Sequence, residues 1–228
     1  MGFSWQARLT SGSRQAFVSA AASACMDTAL RAGIALYTAG EIHAAHEPWE
    51  AVWLDLPDGD DERLFHGLIQ FTAAVYHARQ RNWEGAVGLA ESAQEYLTPL
   101  PTPYCGIDID SVVAALRDLE SDPERVERGP IPPLYYRGRR LTAVDLEIGG
   151  ITTAASVVAS EYDAYDPEVV ETAIDYAREE ATGSQAQYIR LLTSFVDDRE
   201  HRGIVYNRLR QNVERRQAKR DDVAGLFE

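Results

Sequence analysis

Glu62-Arg-Leu-Phe-His-Gly-Leu-Ile-Gln-Phe-Thr-Ala-Ala-Val-Tyr-His-Ala-Arg-Gln-Arg81 decides the fold class of this 228-residue chain. Leu64, Phe65, Leu68, Ile69, Phe71, Thr72, Val75 and Tyr76 recur at helical spacing. They cover more of the helix than one stripe, so this helix is predicted to lie centrally in a bundle. Before it, Leu56–Asp61 reads as a turn with an acidic N-cap. After it, Asn82 can cap a helix over 83–97, which prolines between 99 and 103 terminate.

The same reading extends outward. An Ala-rich helix over 12–39 is expected to end at Gly40, with a break allowed near Cys25–Thr28. Helix 41–54 contains Pro48, which a helix tolerates only near its start or at a kink. Its regular part is therefore expected to begin, or bend, near His46. Asp108 or Asp110 caps a helix through Leu119. Residues 121–140 carry prolines, glycines and arginines and read as an extended connector, with Leu134–Leu141 as a short extended piece. Helices are predicted again near 142–162, 167–181, 184–197 and 199–219, with Pro167 at a first helical position after Asp166. The expected architecture is an all-α helical bundle over 1–120, a connector over 121–140, and a C-terminal helical extension over 141–228.

Composition narrows the setting. Apolar residues make up 45% of the chain and charged residues 25%, an ordinary globular mixture. No window of about 18 apolar residues exists, so no membrane span is expected. The N-terminus lacks the basic-then-apolar pattern of a signal peptide. Cys25 and Cys105 fit no metal or redox spacing, and Cys25 is expected to be buried. A reduced, cytoplasmic protein is the expectation. Net charge is −14, and only one of the 22 basic residues, Lys219, is a lysine. Such acidity suits molar salt, which screens self-repulsion. A GC-rich genome would account for arginine over lysine but not for the acidity. In strong salt, counterion release offers little drive for nucleic-acid binding.

The chemistry-bearing stretch is Gly40-Glu-Ile-His-Ala-Ala-His-Glu-Pro-Trp-Glu-Ala-Val-Trp53. It gathers two histidines, three carboxylates and two tryptophans. On one helix, His43, His46, Glu47 and Glu50 would share a face. On helix 62–81, His66, Gln70, Ala73 and His77 share another. If the two helices pack antiparallel, His66 or His77 would approach His46, Glu47 or Glu50. Such ligands would suit a divalent transition metal, as in helical-bundle metal sites. Glu47 or Glu50 would then serve as base with His46 as its partner. The competing reading is a buried hydrogen-bond network, with carboxylates accepting from indole N–H groups or Gln70. The third is plain surface charge.

His46-Glu47-Pro48-Trp49-Glu50-Ala51-Val52-Trp53 and His66-Gly67-Leu68-Ile69-Gln70, followed by Asn82-Trp83-Glu84-Gly85-Ala86, resemble the domain of unknown function family 309 over about residues 29–98. Pro48 departs from the apolar residue more usual in that slot. The resemblance implies an all-α bundle and no established activity. From Tyr135 onward the chain resembles an extension found on haloarchaeal members.

The C-terminal helix is locally basic, with Arg199, Arg202, Arg208, Arg210, Arg215, Arg216, Lys219 and Arg220. It contacts nucleic acid, docks onto an acidic partner, lies against the acidic body, or is a solvated helix with Glu200, Glu214, Asp221 and Asp222 nearby. The Val223–Phe227 tail is apolar enough to dock on the domain or on a second subunit. No Ser-His-Asp pattern, phosphate-binding loop or dinucleotide fingerprint occurs. The sequence does not determine the function. The leading expectation is a non-enzymatic interaction or assembly module with a homo-oligomeric or protein partner. The alternative is a metal-dependent, hydrolase-like enzyme using His46, Glu47, Glu50 and His77, with His43 and His66 behind them.

Overall fold

α3 (Asp60–Arg79) is enclosed as its wide apolar surface requires: Leu64, Phe65, Leu68, Phe71, Ala74 and Val75 are all buried. The structure, a computed structural model, describes residues 11–180 and 186–224. Among these, ten α-helices and two 3₁₀ turns form an all-α bundle. The other helices are α1 (Ser11–Thr38), α2 (Glu47–Trp53), α4 (Trp83–Leu97), α5 (Ile109–Ser121), α6 (Arg125–Arg128), α7 (Ile148–Glu161), α8 (Pro167–Glu180), α9 (Gln187–Asp197) and α10 (Arg202–Ala224). None is long and apolar enough to cross a membrane.

α1 runs unbroken through the Cys25–Thr28 segment, where Thr28 donates its hydroxyl back to the Ala24 carbonyl at 2.9 Å. It ends in a Schellman motif. Gly40, at φ +88°, sends its N–H to Tyr37, and Glu41 sends its own to Leu36. The next residues form a 3₁₀ turn over Ala44–His46, and α2 starts at Glu47 with Pro48 in its first turn. Proline's missing N–H costs nothing there. Asn82 and Asp108 cap α4 and α5 by accepting from Gly85 N–H and Ser111 N–H.

α3 packs on α4 and α4 on α5, while α1 is shared between α2 and α7. α7 meets α8 and α9, and α10 lies against α8 and α9. Trp49 is the largest fully buried side chain. It fits because residue 33 is glycine: a Cβ there would stand 2.2 Å from the Trp49 indole nitrogen. That nitrogen donates to the Leu30 carbonyl at 3.1 Å. Buried side chains from Leu30 to Val213 form one core cluster.

Residues 121–140 hold more order than an extended connector. α6 buries Val126, and the Pro132 carbonyl accepts from the Tyr37 hydroxyl at 2.7 Å. Tyr104–Ile107 and Tyr136–Arg139 are two tight turns bridged to each other through Ile107 and Tyr136. The expectations for the Cys25 side chain and the Val223–Phe227 tail lie outside the described residues.

Candidate functional site

The polar stripe of α3 begins in its first turn, where an acidic residue is favoured by the helix dipole. Glu62 sits there and takes two donors on one oxygen: the Trp53 indole N–H at 2.8 Å and His66 Nδ1 at 3.2 Å. With Nδ1–H donating to Glu62, His66 Nε2 faces the Gln70 amide nitrogen at 3.4 Å. Glu62, His66 and Gln70 are one turn apart, so they lie in line along the helix. Two aromatic rings pack on the imidazole. Trp53 lies 4.5 Å away at 47°, and Tyr96 stacks at 3.9 Å and 30°. The Gln70 Oε1 is buried without a partner.

The remaining predicted residues lie elsewhere. His43 meets His46 edge-on at 4.9 Å and tilts over Tyr76 at 5.0 Å. Its Nδ1 is 3.1 Å from Glu161 of α7. His46 Nε2 stands 4.0 Å from Glu50. Glu47 and Glu50 are exposed on α2. His77 Nδ1 accepts from the Asn82 side chain at 2.7 Å, inside the turn that starts α4. Thus His43, His46 and Glu50 share one place, His66 a second and His77 a third. The separation along α3 is fixed by rise: His66 and His77 stand eleven residues, about 16 Å, apart on that helix, so they do not share one site. Among the described residues, no three His, Cys, Asp or Glu side chains gather where they could hold a metal ion.

A stronger polar cluster, which the sequence reading did not single out, centres on Glu41. Glu41 is 3% exposed and Arg202 2%. Arg202 Nη1 donates to Glu41 at 2.8 Å, Nε to the Phe195 carbonyl at 2.8 Å, and Nη2 to the Val196 carbonyl at 3.0 Å. The guanidinium therefore closes the end of α9 while neutralising a buried carboxylate. Tyr162 donates to the other Glu41 oxygen at 2.6 Å, and Arg199 Nε lies 3.3 Å from Glu41. Burial, then the bond to Glu41, raises the Tyr162 pKa. The available signal was Glu41 itself, which directly follows a helix-ending glycine. That position turns back toward the helix it leaves.

The basic helix divides its arginines. Arg216 and Arg220 pair with Glu179 of α8 at 2.6 and 3.0 Å. Arg190 of α9 and Arg208 and Arg215 of α10 instead line a groove of about 330 Å³ with Ser194 and Gln211, and among the described residues no carboxylate lines it.

Residues 30–89 match the family model described as Domain of unknown function (DUF309). No curated protein matches the chain. The match takes in Trp49, Glu62, His66 and Gln70, while Tyr162 and Arg202 lie beyond it.

Proposed function

We propose that this chain, whose residues 30–89 match the DUF309 family model, is a non-enzymatic helical module for interaction and assembly, working in the cytoplasm of a salt-adapted organism. One observation carries the reading. His66 has its ring nitrogens taken up by Glu62 and Gln70 and its ring packed on Trp53 and Tyr96. A catalytic site needs its acid, base and reacting atom to converge on reachable space. Here the polar groups hold helices in register instead. The net charge of −14 with a single lysine supports the salt-adapted setting. On this reading the bundle of residues 1–120 is joined through 121–140 to the helical extension of 141–228.

The arginine groove of α9 and α10 is the surface offered to a partner. Its guanidinium forks suit carboxylates, and a second copy of this chain supplies them. Asp55 and Asp58 are exposed in the turn before α3 and Asp60 at its first position, beside Leu54, which is 70% exposed. Ile204, 54% exposed, lies one turn before Arg208 on α10. Such a contact joins unlike surfaces, and is therefore heterologous.

The structural role of the stripe is tested by comparing Glu62→Gln with Glu50→Gln. Glu62→Gln weakens the acceptor for both the Trp53 and His66 donors and is expected to cost about 1–3 kcal/mol in urea unfolding. Glu50→Gln, on an exposed face, is expected to stay within about 0.5 kcal/mol of the parent. Equal, negligible effects would contradict a structural role for Glu62.

A further inference from the structure

The sequence repeats one local device: Tyr104-Cys-Gly-Ile107 and Tyr136-Arg-Gly-Arg139. In each turn the tyrosine exchanges both backbone hydrogen bonds with the residue three later, at 3.0 and 2.8 Å in the first and 2.9 and 3.2 Å in the second. The middle residues have φ +46° and +83° in the first turn, and +50° and +77° in the second. Both are type I′ geometries, which favour Asn or Gly at the first middle position. Cys105 and Arg137 occupy it instead. A non-glycine side chain held there is strained, and such strain clusters at binding sites. The two turns are also locked together, since Arg137 N–H donates to the Gly106 carbonyl at 2.7 Å.

Each turn aims its tyrosine at an aspartate. Tyr104 donates to Asp61 at 2.8 Å, and Tyr136 donates to Asp27 at 2.9 Å. Asp27, Asp61, Cys105 and Arg137 line one cavity of about 430 Å³, whose apolar wall is Leu30, Phe65 and Met26. That volume lies in the range of small-molecule sites. Among the described residues, Asp61 forms no ion pair with a basic side chain, and Arg137 forms none with a carboxylate. Arg137 rests instead over the Tyr136 ring, its guanidinium carbon 5.1 Å from the centroid. An anion and a cation thus share a cavity without pairing with each other. Burial and the neighbouring Asp61 push the Cys105 thiol pKa up, which keeps the thiolate scarce and speaks for binding over nucleophilic chemistry.

We propose that this cavity binds a small zwitterion with an apolar body, of the free amino-acid class. Its ammonium meets Asp61, its carboxylate meets the Arg137 guanidinium, and its side chain lies on Leu30 and Phe65. This site is separate from the Glu62–His66 stripe and from the arginine groove, so it stands whether or not the assembly reading does.

The test uses the full chain and the alkylation of Cys105, followed by peptide mass spectrometry so that Cys25 is read separately. L-phenylalanine, phenethylamine and 3-phenylpropionate are the probes. The amino acid is expected to slow Cys105 alkylation saturably at millimolar concentration. The amine and the acid, each lacking one charge, are expected to protect at least about tenfold more weakly. Asp61→Asn should erase the advantage of the amino acid over the acid. Arg137→Gly should erase its advantage over the amine. Arg137→Gly also places glycine where φ is +50°, so it is expected to fold at least as stably as the parent. Saturable protection by none of the three probes overturns the site. Equal protection by the amine or the acid overturns the zwitterion assignment.

Discussion

Glu41 and Arg202 show where single residues decide this structure. Removing one member of a buried ion pair leaves the other charged and desolvated, at a cost of about 3–5 kcal/mol. Arg202→Ala also strips the Phe195 and Val196 carbonyls of their donors. We expect Arg202→Ala to destabilise by at least that amount in urea unfolding, and Arg199→Ala, at a half-exposed partner, by about 1 kcal/mol or less. Similar, small effects would remove Arg202 from its central place. Glu41 was visible among the carboxylates of Gly40–Trp53, and Arg202 among the arginines of the basic helix. Their pairing was not, because 161 residues separate them and no local pattern connects such positions. The Trp53–Glu62 bond, 9 residues apart across a short turn, follows the buried-network alternative of an indole donating to a carboxylate, though with Glu62 in place of Glu47 or Glu50.

At the scale of elements, helices announced themselves through period, cap and breaker. α4 begins after Asn82 and α5 after Asp108, because a side-chain acceptor there satisfies an N–H that the helix cannot. The start of α2 near His46 was legible from Pro48 alone. The joint turns at Tyr104–Ile107 and Tyr136–Arg139 were not, since Cys-Gly and Arg-Gly are weak turn signals beside Asn-Gly. The pairing of α9 with α10 carries a prediction of its own. Sedimentation velocity in high salt, over graded protein concentration, should show self-association by the parent chain. Arg190→Gln, Arg208→Gln and Arg215→Gln combined should reduce it while leaving the helical signal unchanged. A parent that stays monomeric throughout, or a variant that associates equally, would contradict the proposed groove contact.

For the whole molecule, the core that joins Leu30 to Val213 ties distant tyrosines to buried acceptors. Burial is the leading cause that raises the pKa of Tyr37, Tyr104, Tyr136, Tyr162 and Tyr188. In the unfolded chain these groups ionise near about 10. A folded pKa above that value means the unfolded state releases protons first as pH rises. Their stabilising contribution is therefore complete below about pH 10 and is lost progressively above it. The expected result is an alkaline transition in which tyrosinate absorbance and loss of helix rise together. Full tyrosine titration with the helices intact would contradict the burial described here. The long-range arrangement behind this behaviour was not legible in the sequence, because amphipathic stripes give each helix an inward face without naming its neighbour.

On the proposed function, the His and Glu residues of the motif hold helices together and do not form a reacting centre. Metal content tests it most directly, measured on protein purified in high salt without chelator or affinity-tag metal, then incubated separately with zinc, iron(II) and manganese. No stoichiometric metal is expected under any of these conditions. About one equivalent bound in the parent and lost in His46→Ala would contradict it, and would return His46, Glu50 and their neighbours to the head of a metal-dependent mechanism.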